Sequence, residues 1–216
     1  MYDHQTGSYW FQTAGEAIVG PFTDERLGLL PSTTVLWGEW KKLYPETRVL
    51  TGTIASPTRF ASARYGRGIF DGYQQRVYQD RFAFPVDEDK LDRRLPSGAV
   101  VLTAEVDGEV TAYPLELLGD TAVNDLVGGQ PVVVFSRADS RAAGVFSPVV
   151  DGRVLTFDFR EDTGAFFDRE TESQWDAAGR AVEGLLKGTQ LLPLESRRAF
   201  WFSIAISFPG LRLYQP

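Results

Sequence analysis

Ala99-Val100-Val101-Leu102-Thr103-Ala104-Glu105-Val106-Asp107-Gly108-Glu109-Val110-Thr111-Ala112-Tyr113 reads as two strands joined by a two-residue turn. Asp-Gly is among the strongest short hairpin signals, because both central residues of the tight turn need positive φ. Moving outward, the pattern recurs. Thr121-Ala122-Val123 and Pro131-Val132-Val133-Val134-Phe135 surround Gly128-Gly129, while the stretches 144–150 and 153–159 flank Asp151-Gly152. Leu155, Phe157 and Phe159 alternate with Thr156 and Asp158, the period of a strand with one buried face. Three successive hairpins predict a mainly β chain with short helices (α+β). Its antiparallel, hairpin-rich sheet is expected to be curled or sandwiched, in preference to a parallel α/β fold.

The segment that closes this β region is foreshadowed at the N-terminus. Asp168-Arg169-Glu170-Thr171-Glu172-Ser173-Gln174-Trp175 answers Asp3-His4-Gln5-Thr6-Gly7-Ser8-Tyr9-Trp10 at a spacing of 165. After one deletion the spacing is 164, matching Gly15 to Gly179, Ala17 to Ala181, Gly20 to Gly184, Trp37 to Trp201 and Pro45 to Pro209. Tryptophans, glycines and prolines repeating in one order indicate one structural module used twice. Residues 1–50 thus read as the C-terminal part of a first repeat, 51–90 as an irregular aromatic-rich connection, and 91–216 as a complete β-rich unit. The three are expected to form one compact body.

Each copy ends in an expected short helix, over 36–44 and 200–208, stopped by Pro45 and Pro209. Ser32 and Ser196 are placed to help cap them. The second helix is apolar nearly all round and should be buried. In the connection, Tyr65, Phe70, Tyr73, Tyr78, Phe82 and Phe84 suggest packing across a surface, since a long free loop is unusual in a compact domain.

Composition sets outer bounds. Hydrophobic content of 43% with 13% aromatic is enough for a core. A net charge of −7 opposes general nucleic-acid binding, whose footprint is basic. The absence of cysteine removes disulfides, thiolate metal sites and a cysteine nucleophile from this chain. No apolar run reaches the roughly 18 residues of a membrane span, and no signal peptide is visible after Met1. A soluble chain is expected, of unknown localisation. Arginine outnumbers lysine 18 to 4, with one Asn, one His and one Met. A thermophilic source or a GC-rich genome would each produce that bias.

Ala112-Tyr113-Pro114-Leu115, Val123-Asn124-Asp125, Gly128-Gly129 and the 131–134 strand together resemble the domain of unknown function 3179 family. So do the 168–175 motif, Gly179-Arg180-Ala181-Val182-Glu183-Gly184, and Phe200-Trp201-Phe202 leading to Pro209. The resemblance covers Phe84 to the C-terminus as a complete unit, with residues 3–50 as the closing third of another. It implies no defined activity. Members often carry a Cys-Pro-containing segment after the strand that follows the Gly-Gly turn, where this chain has Ser136-Arg137-Ala138-Asp139-Ser140. Thiol chemistry is therefore absent from this copy. An active site of the family would then lie in a half-unit before Met1.

Candidate chemistry is sparse. Asn124-Asp125 holds the lone asparagine; Asp125 is a candidate general base or hard-cation ligand. A turn that bonds local backbone is the simpler reading. His4, the sole histidine, becomes Arg169 in the second copy, and no multi-His site can form within the chain. Asp168, Thr171, Ser173 and Trp175 favour a turn anchored on the core over a ligand site. Asp87-Glu88-Asp89 with Asp92 lacks the pattern of a calcium loop, and Arg93-Arg94 and Arg197-Arg198 are free to pair with it or face a partner. No metal or cofactor is predicted.

These features favour a non-catalytic binding or scaffold module whose aromatic residues Tyr113, Trp175, Trp37 and Trp201 offer a ligand or partner surface. The partner is an unidentified protein or small molecule, or a second copy in a homo-oligomer. The alternative is a carboxylate- or metal-dependent enzyme built around Asn124 and Asp125. Its sign would be a hollow joining that pair to a second carboxylate.

Overall fold

The computed structural model describes residues 1–49, 67–138 and 141–215, and within the helix beginning at Arg67 it describes side chains from Gly72 onward. A short hairpin, β1 (Tyr9–Phe11) and β2 (Glu16–Val19), precedes helix α1 (Trp37–Leu43). Helix α2 (Arg67–Tyr78) leads to strands β3 (Val100–Val106) and β4 (Glu109–Pro114), joined at Asp107-Gly108. Helix α3 (Leu115–Leu118) follows, then β5 (Thr121–Val127) and β6 (Gln130–Arg137), paired around Gly128-Gly129. Next come β7 (Ala142–Ser147), β8 (Val149–Val150), β9 (Arg153–Val154), β10 (Phe157–Arg160) and β11 (Ala165–Asp168). The chain closes with β12 (Gln174–Trp175), β13 (Ala181–Glu183), β14 (Leu192–Pro193), β15 (Arg198–Phe200), helix α4 (Trp201–Ser207) and β16 (Arg212–Leu213).

The fold is mainly β, with several antiparallel sheets, none closed. The larger sheets run β14-β7-β6-β5, β15-β3-β4-β16 and β10-β11-β12-β13. β16 alone among the described strands pairs in parallel, with β4. The β5–β7 sheet is central, and β6 shows why its sequence is a continuous apolar run. Val132 and Val134 pack with Leu102, Ala104 and Tyr113 of the β3–β4 hairpin. Val133 and Phe135 point the other way, onto Phe157, Phe166 and Trp175 of the third sheet. A strand buried on both faces needs no polar alternation. The far side of β3 and β4, through Val101 and Ala112, receives Trp201, Ile204 and Ala205 of α4. The sandwiched expectation holds in this layered form.

Three local expectations are modified. The Asp151-Gly152 hairpin is real but only two pairs long, because Pro148 has no amide to extend β7 and the chain bends there. β10 then pairs with β11 instead of continuing β9. Within 51–90, the stretch read as irregular contains the twelve-residue α2. Its two internal glycines weaken the helix signal in sequence. Tertiary packing supplies what propensity lacks: Val77 is fully buried with Leu91 and Phe202, flanked by Tyr73 and Phe82. Tyr65 and the Phe70 side chain lie outside the described residues. The serines do not cap the helices either. Leu36 and Phe200 occupy the N-cap positions without side-chain bonds, and Ser196 instead donates to the Ser32 carbonyl at 3.4 Å.

The stretches 3–27 and 168–191 carry corresponding hydrogen bonds. Asp3 and Asp168 each accept from a threonine hydroxyl three residues on, Thr6 and Thr171. The Ser8 and Ser173 hydroxyls accept from the amides of Phe22 and Leu186. Leu27 and Leu191 donate their amides to the carbonyls of Gly15 and Gly179. Helices α1 and α4 begin at Trp37 and Trp201, after residues with nearly the same extended backbone, φ −66°, ψ 146° and φ −70°, ψ 145°. Residues 1–49 touch the β-rich unit at several points. The Ala143 amide donates to the Thr34 carbonyl at 3.2 Å, Arg180 donates to the Leu43 carbonyl at 3.0 Å, and Thr13 bonds Ser203.

Among the described residues, no helix is long and apolar enough to cross a membrane.

Candidate functional site

Asn124 and Asp125 lie in mid-strand on β5, not in a turn. The Asn124 side chain behaves like a short piece of strand. Its Oδ1 accepts from the Phe157 amide at 2.9 Å and its Nδ2 donates to the Phe157 carbonyl at 2.8 Å. The amide thus stitches β5 to the start of β10, a pairing that few other side chains offer with both a donor and an acceptor.

Asp125 is held by three donors. The Tyr113 hydroxyl donates at 2.8 Å, the Leu126 amide at 2.8 Å, and the Arg212 guanidinium completes the set. Arg212 also donates to Thr111 Oγ1 at 3.1 Å and to the Leu126 carbonyl at 3.0 Å. β16 delivers it beside β4 through the parallel pairing. Burial, reinforced by the Asp125 carboxylate, pushes the Tyr113 hydroxyl well above its ordinary pKa. Burial opposes the charge on Arg212, but the same carboxylate outweighs it and raises the Arg212 pKa. The Tyr113 hydroxyl therefore stays neutral and the Arg212 guanidinium charged across the whole physiological range.

This network edges a surface hollow of about 610 Å³, lined among others by Glu109, Asn124, Asp125, Thr156 and Arg212. A second carboxylate, Glu109, is thus brought into the same concavity. Among the described residues, no group of three or more His, Cys, Asp and Glu side chains is placed to hold a metal ion.

The aromatic candidates separate sharply. Tyr113, Trp175 and Trp201 are fully buried, whereas Trp37 is half exposed. Trp175 packs edge-on against Phe157 and donates its indole N–H to the buried Asp168 at 2.9 Å. The Trp201 indole donates to the Asp92 carbonyl at 2.9 Å. Trp37 instead lies on α1, a helix with no buried residue, and lines a cleft with Trp40, Thr33, Thr34 and Val35. Lys41 lies over the Trp37 ring at 5.9 Å.

The other polar candidates have local partners. His4 meets the Tyr2 ring edge-on at 4.8 Å. Asp87 accepts from the Asp89 amide, Asp92 binds Arg94, and Arg93 binds Asp80. Arg197 pairs with Glu105. Arg212 escaped the sequence reading, since nothing in its local sequence links it to a carboxylate 87 residues away.

Stacked open antiparallel sheets, a rim network of tyrosine, carboxylate and arginine, and an exposed aromatic helix define a layered β-rich domain. Its relationships are equally plain. The chain belongs to the family described as Protein of unknown function (DUF3179), whose model matches residues 1–210. The match takes in the N-terminal segment and the connection together with the β-rich unit. No curated protein and no solved structure matches the chain.

Proposed function

We propose that this chain is a non-catalytic β-rich binding module, and that residues 1–49 present its partner surface. In this reading they are a second use of the closing segment seen at 168–213. The observation that carries it is the contrast between Trp37, 50% exposed, and Trp201, 0% exposed, at the same point of matching helices. Tyr9, Ile18, Val19, Phe22, Leu27 and Leu30 are exposed along with Trp37. Apolar surface concentrated in this way marks an interaction site more often than it marks chance. The matching helix α4 indicates what such a helix covers: small apolar positions of a two-stranded hairpin, Val101 and Ala112. The partner is therefore a β-rich unit of the same kind, offered in the simplest case by a second copy. Sedimentation of the full chain over rising concentration should show self-association that Trp37→Glu abolishes. A chain that stays monomeric throughout would sink the reading.

A second reading rests on the hollow that Glu109 shares with Asp125. There the two carboxylates serve a hydrolytic or metal-assisted reaction, with Arg212 positioning Asp125. Calcium and magnesium titrations of the wild type, Asp125→Asn and Glu109→Gln test it. Identical traces in all three would eliminate it.

A further inference from the structure

The end of the central sheet opposite the Gly-Gly turn carries a second concavity, of about 340 Å³. It lies where the β5–β7 sheet and the β3–β4 hairpin diverge, with Gln74 of α2 on one wall. Among the described residues, its charged lining is three guanidiniums, Arg137, Arg141 and Arg198, against one carboxylate, Glu116. That local excess of positive charge stands within a chain of net charge −7.

The three arginines are not equivalent. Arg137 is engaged: it donates to the Gly164 carbonyl, lies over the Phe159 ring at 5.0 Å and approaches Asp120 at 3.6 Å. Among the described residues, Arg198 is fixed by one neutral bond, its guanidinium donating to the Arg141 carbonyl at 2.8 Å. Neither Arg141 nor Arg198 forms an ion pair among the described residues. Glu116 accepts the Tyr78 hydroxyl. Ser136, at the end of β6, is buried to 3% exposure, and its hydroxyl makes no hydrogen bond among the described residues. Arg141 also holds a left-handed backbone, φ +50°, which costs a non-glycine residue about 1 kcal/mol. Strained residues of this kind concentrate at ligand sites.

We propose that this pocket binds a small organic oxyanion, with Arg198 and Arg141 clamping the anionic group and Ser136 donating its hydroxyl. Guanidinium forks match carboxylate and phosphate oxygens, and such charge-assisted bonds are the strong ones. Burial, and then the like charge of Arg141, push the Arg198 pKa below its ordinary value, a repulsion that a bound anion relieves. The volume falls near the low end of the roughly 300–1,000 Å³ of ligand pockets. It suits an anionic headgroup with a few carbons.

Isothermal titration of the full chain with inorganic phosphate and with succinate tests the assignment and separates the two oxyanion chemistries. Saturable binding of at least one is expected, weakened about tenfold or more in Arg141→Gln, which is exposed and leaves the Arg141 carbonyl in place. Arg198→Gln should weaken it further, and Arg153→Gln, on the exposed Asp151-Gly152 hairpin, should leave it unchanged. Failure of both anions to bind the wild type would overturn the assignment. An equal loss in Arg141→Gln and Arg153→Gln would do so too, since it would show non-specific charge attraction. None of these outcomes depends on Trp37, so the pocket and the partner surface stand or fall separately.

Discussion

The Asp168 carboxylate accepts the Trp175 indole N–H at 2.9 Å, in a place where neither side chain reaches solvent. The same carboxylate takes the Thr171 hydroxyl at 2.9 Å and the Thr171 amide at 2.6 Å. Asp168→Ala would leave these donors buried without an acceptor, at about 3 kcal/mol. Asp3 occupies the matching position near the surface, where water replaces the lost bonds. Urea unfolding should show a clearly larger loss for Asp168→Ala than for Asp3→Ala. Equal losses would contradict the burial difference.

Gly184 adopts φ +93°, and a Cβ there would stand 2.7 Å from the Ser173 Cα. Gly20 repeats the arrangement over Ser8, with φ +115° and the same 2.7 Å. Because the obstacle is backbone, no rotamer change relieves it. Gly184→Ala should cost about 2–3 kcal/mol from strain alone. Gly20→Ala should disturb mainly the N-terminal hairpin, visible as faster amide exchange at Ala17 and Leu27. A neutral Gly184→Ala would refute the close approach.

Much of the fold was legible because its signals are local. Asp107-Gly108 and Gly128-Gly129 place two hairpins where turn chemistry demands them, and the apolar run through Phe135 announces a strand. What stayed hidden depends on distant partners. Helix α2 has weak propensity and is stabilised by Phe202, more than a hundred positions later. The Asp125 network needs Arg212, and the oxyanion pocket needs Arg198 beside Arg141, both assembled only when β15 and β16 dock on β3 and β4. Trp37 and Trp201 look interchangeable in sequence; only packing tells them apart.

Tyr113 carries a pH signature. Its hydroxyl is protonated in both folded and unfolded chains below 10.0, so its contribution is intact there. Above that value the unfolded chain releases the proton while the folded chain, with its raised pKa, keeps it, and stability falls as pH rises. Tyr78, pushed up to about 12 by burial and then by Glu116, adds to the decline between 10.0 and about 12. Urea midpoints followed through this window should fall less steeply in Tyr113→Phe and in Tyr78→Phe than in the wild type. At neutral pH, Tyr113→Phe should lose about 1–2 kcal/mol for the bond to Asp125. An unchanged alkaline slope in both variants would remove the tyrosines from the account.

Trp201→Ala and Trp37→Ala should differ in size of effect and in the property affected. Trp201 fills the space between α4 and the β3–β4 hairpin, so its truncation should cost about 3–5 kcal/mol. Trp37 gives up little buried area in the isolated chain, and its loss should change the unfolding free energy by less than about 0.5 kcal/mol. The same Trp37→Ala protein should lose self-association if the N-terminal face is a docking surface. Stability lost in Trp201→Ala, and association lost with stability kept in Trp37→Ala, cannot both arise from general damage to the fold. If Trp37→Ala proved as destabilising as Trp201→Ala, Trp37 would belong to the core of this chain, and the exposed face would need no partner.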